Sequence, residues 1–321
     1  MSAPAVSASG VASPRARRGR TLIAAERMNG FIDGLFRLQA VLVYTFLYLP
    51  IVIIVIFAFN QNRLATIWTG FTFDWFRVAL GDAVVTKSLG NSAVIASANA
   101  VLATIFGTMA ALGLQRVGRR TRLGYDVLTY VSIIVPEIVI ALATLVFFAS
   151  TFDVINPILG DLQGGGKNVF KLGFGQFTIV AAHVLFNLSL VLLLVRARLS
   201  GMDRTLVEAS QDLFATPWRT FRQITFPQLL PAIVAGFLLS FTFSFDDYVI
   251  TSFVTGPGST TLPIFIFGQV KREVSPETNA VATMVLAFTI GMLLVGQALL
   301  TWQGRRTGGK NASMTSIVTE R

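Results

Sequence analysis

Six runs of this sequence, residues 38–59, 89–114, 127–150, 177–199, 232–254 and 281–302, are apolar over the length a helix needs to cross a bilayer, about 20 residues. A chain with six such runs has few alternatives. A strand open to lipid would leave its amides and carbonyls unpaired, so each run is expected to be a helix. The expected fold is that of an all-α integral membrane protein with six transmembrane helices. Composition agrees: 53% of the residues are apolar, 13% are charged, and mean hydropathy is +0.67. An ordinary soluble domain is about 25% charged. A soluble monomer and a disordered chain are both excluded. Cysteine is absent and His183 is the single histidine, which removes disulfides, thiolate nucleophiles and Cys- or His-rich metal sites.

The net charge of +10 raises the question of nucleic acid. The basic residues punctuate the apolar runs and do not line one face, so they read as topology signals, and no nucleic-acid partner is expected. The tail before the first run, the second and fourth connections and the tail after the last run carry 6, 4, 5 and 4 Lys and Arg, 19 in all, with Arg196 and Arg198 at the end of the fourth run counted into the fourth connection. The other three connections carry 3, 2 and 2. The positive-inside rule therefore places both termini in the cytoplasm. Residues 1–37 read as a basic, partly disordered cytoplasmic tail, with Arg15, Arg17, Arg18 and Arg20 suited to anionic lipid. Residues 38–302 read as the membrane domain and 303–321 as a second cytoplasmic tail. A cleaved secretory signal is not expected, because the first run is too long and lacks a small-residue cleavage site. For a twin-arginine signal at Arg17-Arg18, the apolar run starts too late.

Two apparent motifs are dismissed. Gly164-Gly165-Gly166-Lys167 lacks the preceding Gly and the following Ser or Thr of a phosphate loop, since Asp161 and Asn168 stand there. It reads as a turn outside the cell. Asn311-Ala312-Ser313 fits a glycosylation sequon but falls in the expected cytoplasmic tail.

Residues 201–231 form the most informative connection. It is too long for a simple link and too apolar for a solvated loop. Thr205 and Glu208 have capping-box spacing for a short helix. Thr216 then precedes Pro217 as cap and first residue of a second helix, with Trp218, Phe221 and Ile224 or Thr225 on one face. Pro227 is expected to end that helix, and Pro231 to precede the next span. Exposed apolar residues on such a platform call for a protein partner.

Glu208-Ala209-Ser210, Asp212-Leu213 and Ala215, then Phe221 and Phe226-Pro227 ahead of Pro231, resemble the EAA loop of ABC importer permeases. The resemblance implies the type I importer permease fold. It also implies that Glu208, Ala209, Ser210, Asp212 and Leu213 form a coupling helix seated in a cleft of an ATPase subunit. The family usually has Gly two residues after the Asp. Here that residue is Phe214, which leaves the turn open to a different course and Phe214, with Trp218, available to the ATPase.

Three carboxylates fall inside the apolar runs: Glu137 near the middle of the third, and Asp246 and Asp247 past the middle of the fifth. Each costs roughly 2.5–3.5 kcal/mol at such depth, so each must face a cavity or a partner. Neighbours on a helix point about 100° apart, so Asp246 and Asp247 are expected to face differently. No Lys or Arg lies at matching depth, which makes an external cation the simplest partner. Phe241, Phe243, Phe245 and Tyr248 surround the pair, and one or two of them offer a π-face to an amine. His183 and Asn187, four residues apart, read as an interhelical hydrogen-bonding pair.

The run Ser244-Phe245-Asp246-Asp247-Tyr248-Val249, Ser252 to Gly258, Thr261-Leu262-Pro263 and Val274-Ser275-Pro276-Glu277 is similar to the spermidine/putrescine permease branch of the same superfamily. That resemblance implies a polyamine as cargo, and the acids inside the apolar runs and their aromatic neighbours make Asp246, Asp247, Glu137, Tyr248 and Phe243 the expected lining of its path. It also implies a second permease chain or copy, two ATPase subunits that bind ATP and Mg, and an extracytoplasmic polyamine-binding protein. This chain itself, without a Walker motif, is expected to hold no cofactor and to catalyse nothing. Related branches carry ferric iron, thiamine or aminoethylphosphonate. A membrane-embedded hydrolase is the competing class, but its two carboxyls must face each other from different elements, and only Glu137 opposite Asp247 would serve. An ion channel would not require the segment 201–231.

Overall fold

A computed structural model describes residues 14–63, 67–163, 171–203, 205–272 and 275–318, with side chains from 34 to 298. The Gly164–Lys167 run, Val274 and the first thirteen residues lie outside the described residues, as do the side chains of Arg15 to Arg20 and of the Asn311 sequon. The chain divides into two units, Met1–Phe57 and Ala58–Arg321. The first contains helix α1, Pro14–Phe57, which takes in the basic stretch that composition reads as an unstructured tail. Its apolar part, Gly34–Phe57, is the first of six helices long enough to cross a membrane.

The second unit follows as α2 (Asp74–Gly81), α3 (Ala83–Gly113), α4 (Arg119–Ile134), α5 (Glu137–Leu162), α6 (Gln176–Ser200), α7 (Thr205–Asp212), α8 (Pro217–Thr220), a π-helical turn (Phe221–Thr225), α9 (Phe226–Asp246), α10 (Val249–Val254), α11 (Leu262–Arg272) and α12 (Pro276–Val318). The last of these runs through the segment read as a C-terminal tail.

Two runs that look continuous by hydropathy are broken. The third does not span 127–150. Pro136 has no N–H to donate and crowds the residue before it, so Val135 is extended (φ −62°, ψ 132°) and α4 stops. The spanning helix is α5, and Glu137 stands in its first turn instead of near the middle of a helix. The fifth run breaks at Asp247 (φ −68°, ψ 126°), between α9 and the short α10. The expectation that Asp246 and Asp247 diverge as neighbours on one helix therefore gives way to a different geometry, in which one ends a helix and the other caps the next.

The core is a three-helix contact of α3, α6 and α9, with α5 against α10 and α4 on α6. The buried face of α3 is rich in small residues, Ser88, Ser92, Ala96, Ala100, Ala103, Gly107 and Ala111 among them. Lipid is as apolar as a leucine side chain, so helices in a membrane gain little from burying apolar surface. They gain from close approach, which small residues permit. Gly107 shows the limit: a Cβ there would meet Val191 Cβ at 2.8 Å and the Leu188 carbonyl oxygen at 3.0 Å. Polar side chains on α3 tie down the returning chain. Asn99 Nδ2 donates to the Ser240 carbonyl (2.9 Å), and Asn91 Nδ2 donates to the carbonyls of Gly258 (3.0 Å) and Thr260 (2.9 Å). The Arg196 guanidinium pairs with Asp126, joining α6 to α4.

Gly107→Val is expected to lower the thermal stability of the purified protein by about 1–3 kcal/mol through overpacking. Gly291→Ala, inside α12 where a Cβ meets nothing within 4 Å, is expected to keep or slightly raise the melting temperature.

Candidate functional site

Two regions carry the residues that the sequence singles out. The first is the junction of α5, α6, α9 and α10. When α9 ends at Asp246, the amides of α10 need acceptors, and Asp247 supplies them. Its carboxylate accepts from the Ile250 amide (3.3 Å), the Thr251 amide (2.7 Å) and the Thr251 hydroxyl (2.6 Å). His183 Nε2, on α6, lies 3.0 Å from the same carboxylate. With that N–H donated to Asp247, Nδ1 accepts from the Ser244 hydroxyl at 2.7 Å, so the network selects one tautomer. His183 is 1% exposed and Asp247 8%. Within the fold, the His183 imidazole is thus a partner of Asp247. His183 does bond between helices, but toward α9 and α10 and not to Asn187, whose Oδ1 is buried without a hydrogen-bond partner.

Glu137, His183, Asn187, Phe243, Ser244 and Asp247 border a cavity of about 20 Å³. That is room for roughly one water molecule. The structure does bring Glu137 to Asp247, the pairing an acid-dyad hydrolase would need. But Asp247 is committed to four donors and buried, and a Ser–His–Asp arrangement this enclosed admits no substrate. The pair closes a helix junction.

Asp246, the adjacent residue, is exposed, as are Glu137 and Phe243. Tyr248 is half-buried and packs on Phe267 of α11, with ring centroids 4.2 Å apart. The ammonium of Lys271 stands 4.7 Å from the Phe267 centroid. So the five residues expected to line a path divide: Asp247 inside the fold, Glu137 at its edge, and Asp246, Phe243 and Tyr248 on accessible surface.

The second region is residues 201–231. Asp203 opens α7, not the Thr205–Glu208 capping box. Its Oδ1 accepts from the Thr205 amide (2.9 Å) and hydroxyl (2.8 Å), which hold the Asp203 carboxyl below its usual range. Thr216 caps α8, accepting from the Arg219 amide at 3.4 Å, with Pro217 as first residue. Pro227 does not end a helix. It sits in the first turn of α9, where its missing N–H is tolerated, and the π-helical turn carries α8 directly into the span. Ser210, buried, meets Thr220 at 2.9 Å and holds α7 against α8. Glu208, Ala209, Asp212, Leu213, Phe214 and Trp218 are exposed. Behind them, Arg116, Arg122, Met202, Glu208, Trp218 and Phe221 border a cleft of about 820 Å³.

The turn after α7 keeps the course that glycine would give it. The Ala215 amide donates to the Ser210 carbonyl (3.0 Å) and the Phe214 amide to the Gln211 carbonyl (2.9 Å), the two bonds of a Schellman cap. Phe214 occupies its left-handed position at φ +55°, the only non-glycine with positive φ among the described residues. A side chain in that conformation costs roughly 1–2 kcal/mol.

This arrangement is that of a transport permease, and the comparisons agree. A family model described as binding-protein-dependent transport system inner membrane component matches residues 103–309. The chain belongs to that family. It is an inner-membrane permease of the ABC importer class, a transport subunit and not an enzyme. It is 38% identical over 244 residues, 76% of this chain and 82% of the relative, to the putrescine transport system permease protein PotI of Escherichia coli (strain K12). It is 34% identical over 257 residues, 80% of this chain and 90% of the relative, to the spermidine/putrescine transport system permease protein PotC of the same organism. Among solved structures, a bacterial ABC transporter involved in the import of the acidic polysaccharide alginate superposes with TM-score 0.67 at 15% identity, covering 88% of this chain and 98% of that one. At that identity the likeness is one of fold.

Asp247→Asn is expected to destabilise the purified protein by about 1.5–3 kcal/mol, since it weakens charge-assisted bonds in a buried network. Asp246→Asn is expected to stay within about 0.5 kcal/mol of the parent. Thermal unfolding of the two variants side by side checks this.

Proposed function

We propose that the chain is the permease subunit of an ATP-driven polyamine importer, with spermidine or putrescine as cargo. The carrying observation is the exposed carboxylate of Asp246, set where α9 stops inside an apolar span. A carboxylate at that depth is tolerated beside a water-filled path and not against lipid. Phe243 and Tyr248, three residues before it and two after it in the chain, have accessible ring surface to offer an alkylammonium. The names of the relatives PotI and PotC support the same cargo. Glu137 borders the path, and Asp247 acts by holding the α9–α10 break. A polyamine carries its charges along a flexible chain, so an exposed acid flanked by rings suits it better than a closed anion-lined pocket.

The charge asymmetry of the connections supports a cytoplasmic position for both termini and for residues 201–231. In this reading α7 docks on an ATPase subunit through Glu208, Ala209, Ser210, Asp212, Leu213, Phe214 and Trp218. Ser210 acts from beneath, by bonding Thr220. Because the π-helical turn joins α8 to α9 without a break, a push on the platform passes along one continuous rod to Asp246. Closure of the ATPases moves the rod and opens the path outward; hydrolysis returns it. Two ATPase subunits hold ATP and Mg. A second permease, a homologous chain or a second copy, completes the path, and an extracytoplasmic binding protein delivers the polyamine.

Asp246→Asn is expected to lower putrescine uptake into proteoliposomes of the intact transporter at least about tenfold, the cost of losing one charge partner, with assembly intact. Glu208→Lys is expected to release the ATPase or to uncouple hydrolysis from uptake. Unchanged uptake in the first variant contradicts the path, and retained coupling in the second contradicts the docking.

A further inference from the structure

At the end of α7 two oddities meet in one residue. Phe214 holds a left-handed backbone that glycine adopts freely. Its ring is 96% exposed and takes no part in the packing of the chain. For this fold alone glycine would serve better, because the ring adds strain and contributes no contact. The ring has neighbours of the same kind: Leu213 is 82% exposed and Trp218 is 69% exposed. Glu208, Asp212 and Arg219 stand around them, all exposed. Apolar anchors inside a charged rim are the anatomy of a protein-binding hot spot. Two acids in the rim disfavour an anionic lipid surface as the occupant.

We infer that Phe214 is the specificity-determining anchor of the coupling surface, and that its ring enters an apolar pocket on the ATPase subunit of this transporter. The inference rests on the docking reading above and adds its chemistry. The left-handed cap turns the chain out of the helix at this residue, so the ring stands at the apex of the turn. Leu213 and Trp218 flank the pocket mouth and exclude water. The ATPase face must therefore be concave and apolar opposite residue 214, with basic groups opposite Glu208 and Asp212.

The test uses the full chain co-expressed with its own ATPase, reading the ATPase retained on purification and the melting temperature of the permease. Phe214→Gly and Phe214→Asn both accept the left-handed backbone and remove the ring. Phe214→Leu keeps apolar bulk. The glycine and asparagine variants are expected to melt at or above the parent temperature and to retain roughly tenfold less ATPase, as for loss of a hot-spot aromatic. The leucine variant is expected to fall between them and the parent. If the glycine and asparagine variants retain the ATPase fully while Glu208→Lys loses it, the anchor role is overturned and docking stands. If Glu208→Lys also retains it, docking falls as well. If the glycine variant melts lower than the parent, the ring serves the fold and the inference fails.

Discussion

A helix that stops inside an apolar layer must find partners for the backbone groups it frees, because no solvent is there to take them. In this protein Asp247 meets that demand. One carboxylate accepts the first amides of α10, the Thr251 hydroxyl and the His183 imidazole, and His183 passes the connection to Ser244 on α9. Three elements are fixed by one network. The break it supports sets Asp246 at a helix end, where its side chain is accessible, instead of on the flank of a continuous helix. The two adjacent acids thereby separate into a residue that maintains the break and a residue that the break presents.

The other end of α9 is built on the opposite logic. There the chain avoids a break. A π-helical turn, Phe221–Thr225, joins α8 to α9 just ahead of Pro227, and α8, the turn and α9 form one 30-residue stretch from Pro217 to Asp246. A continuous helix is stiff along its axis, and α3 and α6 grip it through small residues that leave little slack. In the proposed mechanism, displacement at the α7–α8 platform passes along this helix to Asp246.

The six spans were legible because length and hydropathy are local properties of the chain. The break at Pro136 was also written locally, but an apolar run continues on both sides of it and masks the stop. The break at Asp247 had no proline or glycine to mark it. It is held by the Asp247 cap on Ile250 and Thr251 and by a bond to His183, 64 residues away, and no periodicity connects the two. The spacing of Ser244, Asp247 and Thr251 with a lone histidine in another span was the available signal, one that hydropathy does not weigh. The platform was read correctly in outline, including the Thr216 cap. Its first cap was not, since Asp203 lies two residues ahead of the capping-box pattern and competes better for the Thr205 amide. Phe214 shows the reverse: side-chain propensity argues against a left-handed turn there, and the backbone hydrogen bonds of the helix end impose it.

The account turns on the claim that Asp246, not Asp247, faces the translocation path. The chain has no cysteine, so a single Asp246→Cys substitution gives one thiol in the permease. In the assembled transporter the account predicts that this thiol reacts with a membrane-impermeant methanethiosulfonate reagent and that putrescine slows the reaction. A thiol that stays unmodified, or one whose labelling no polyamine changes, would contradict it.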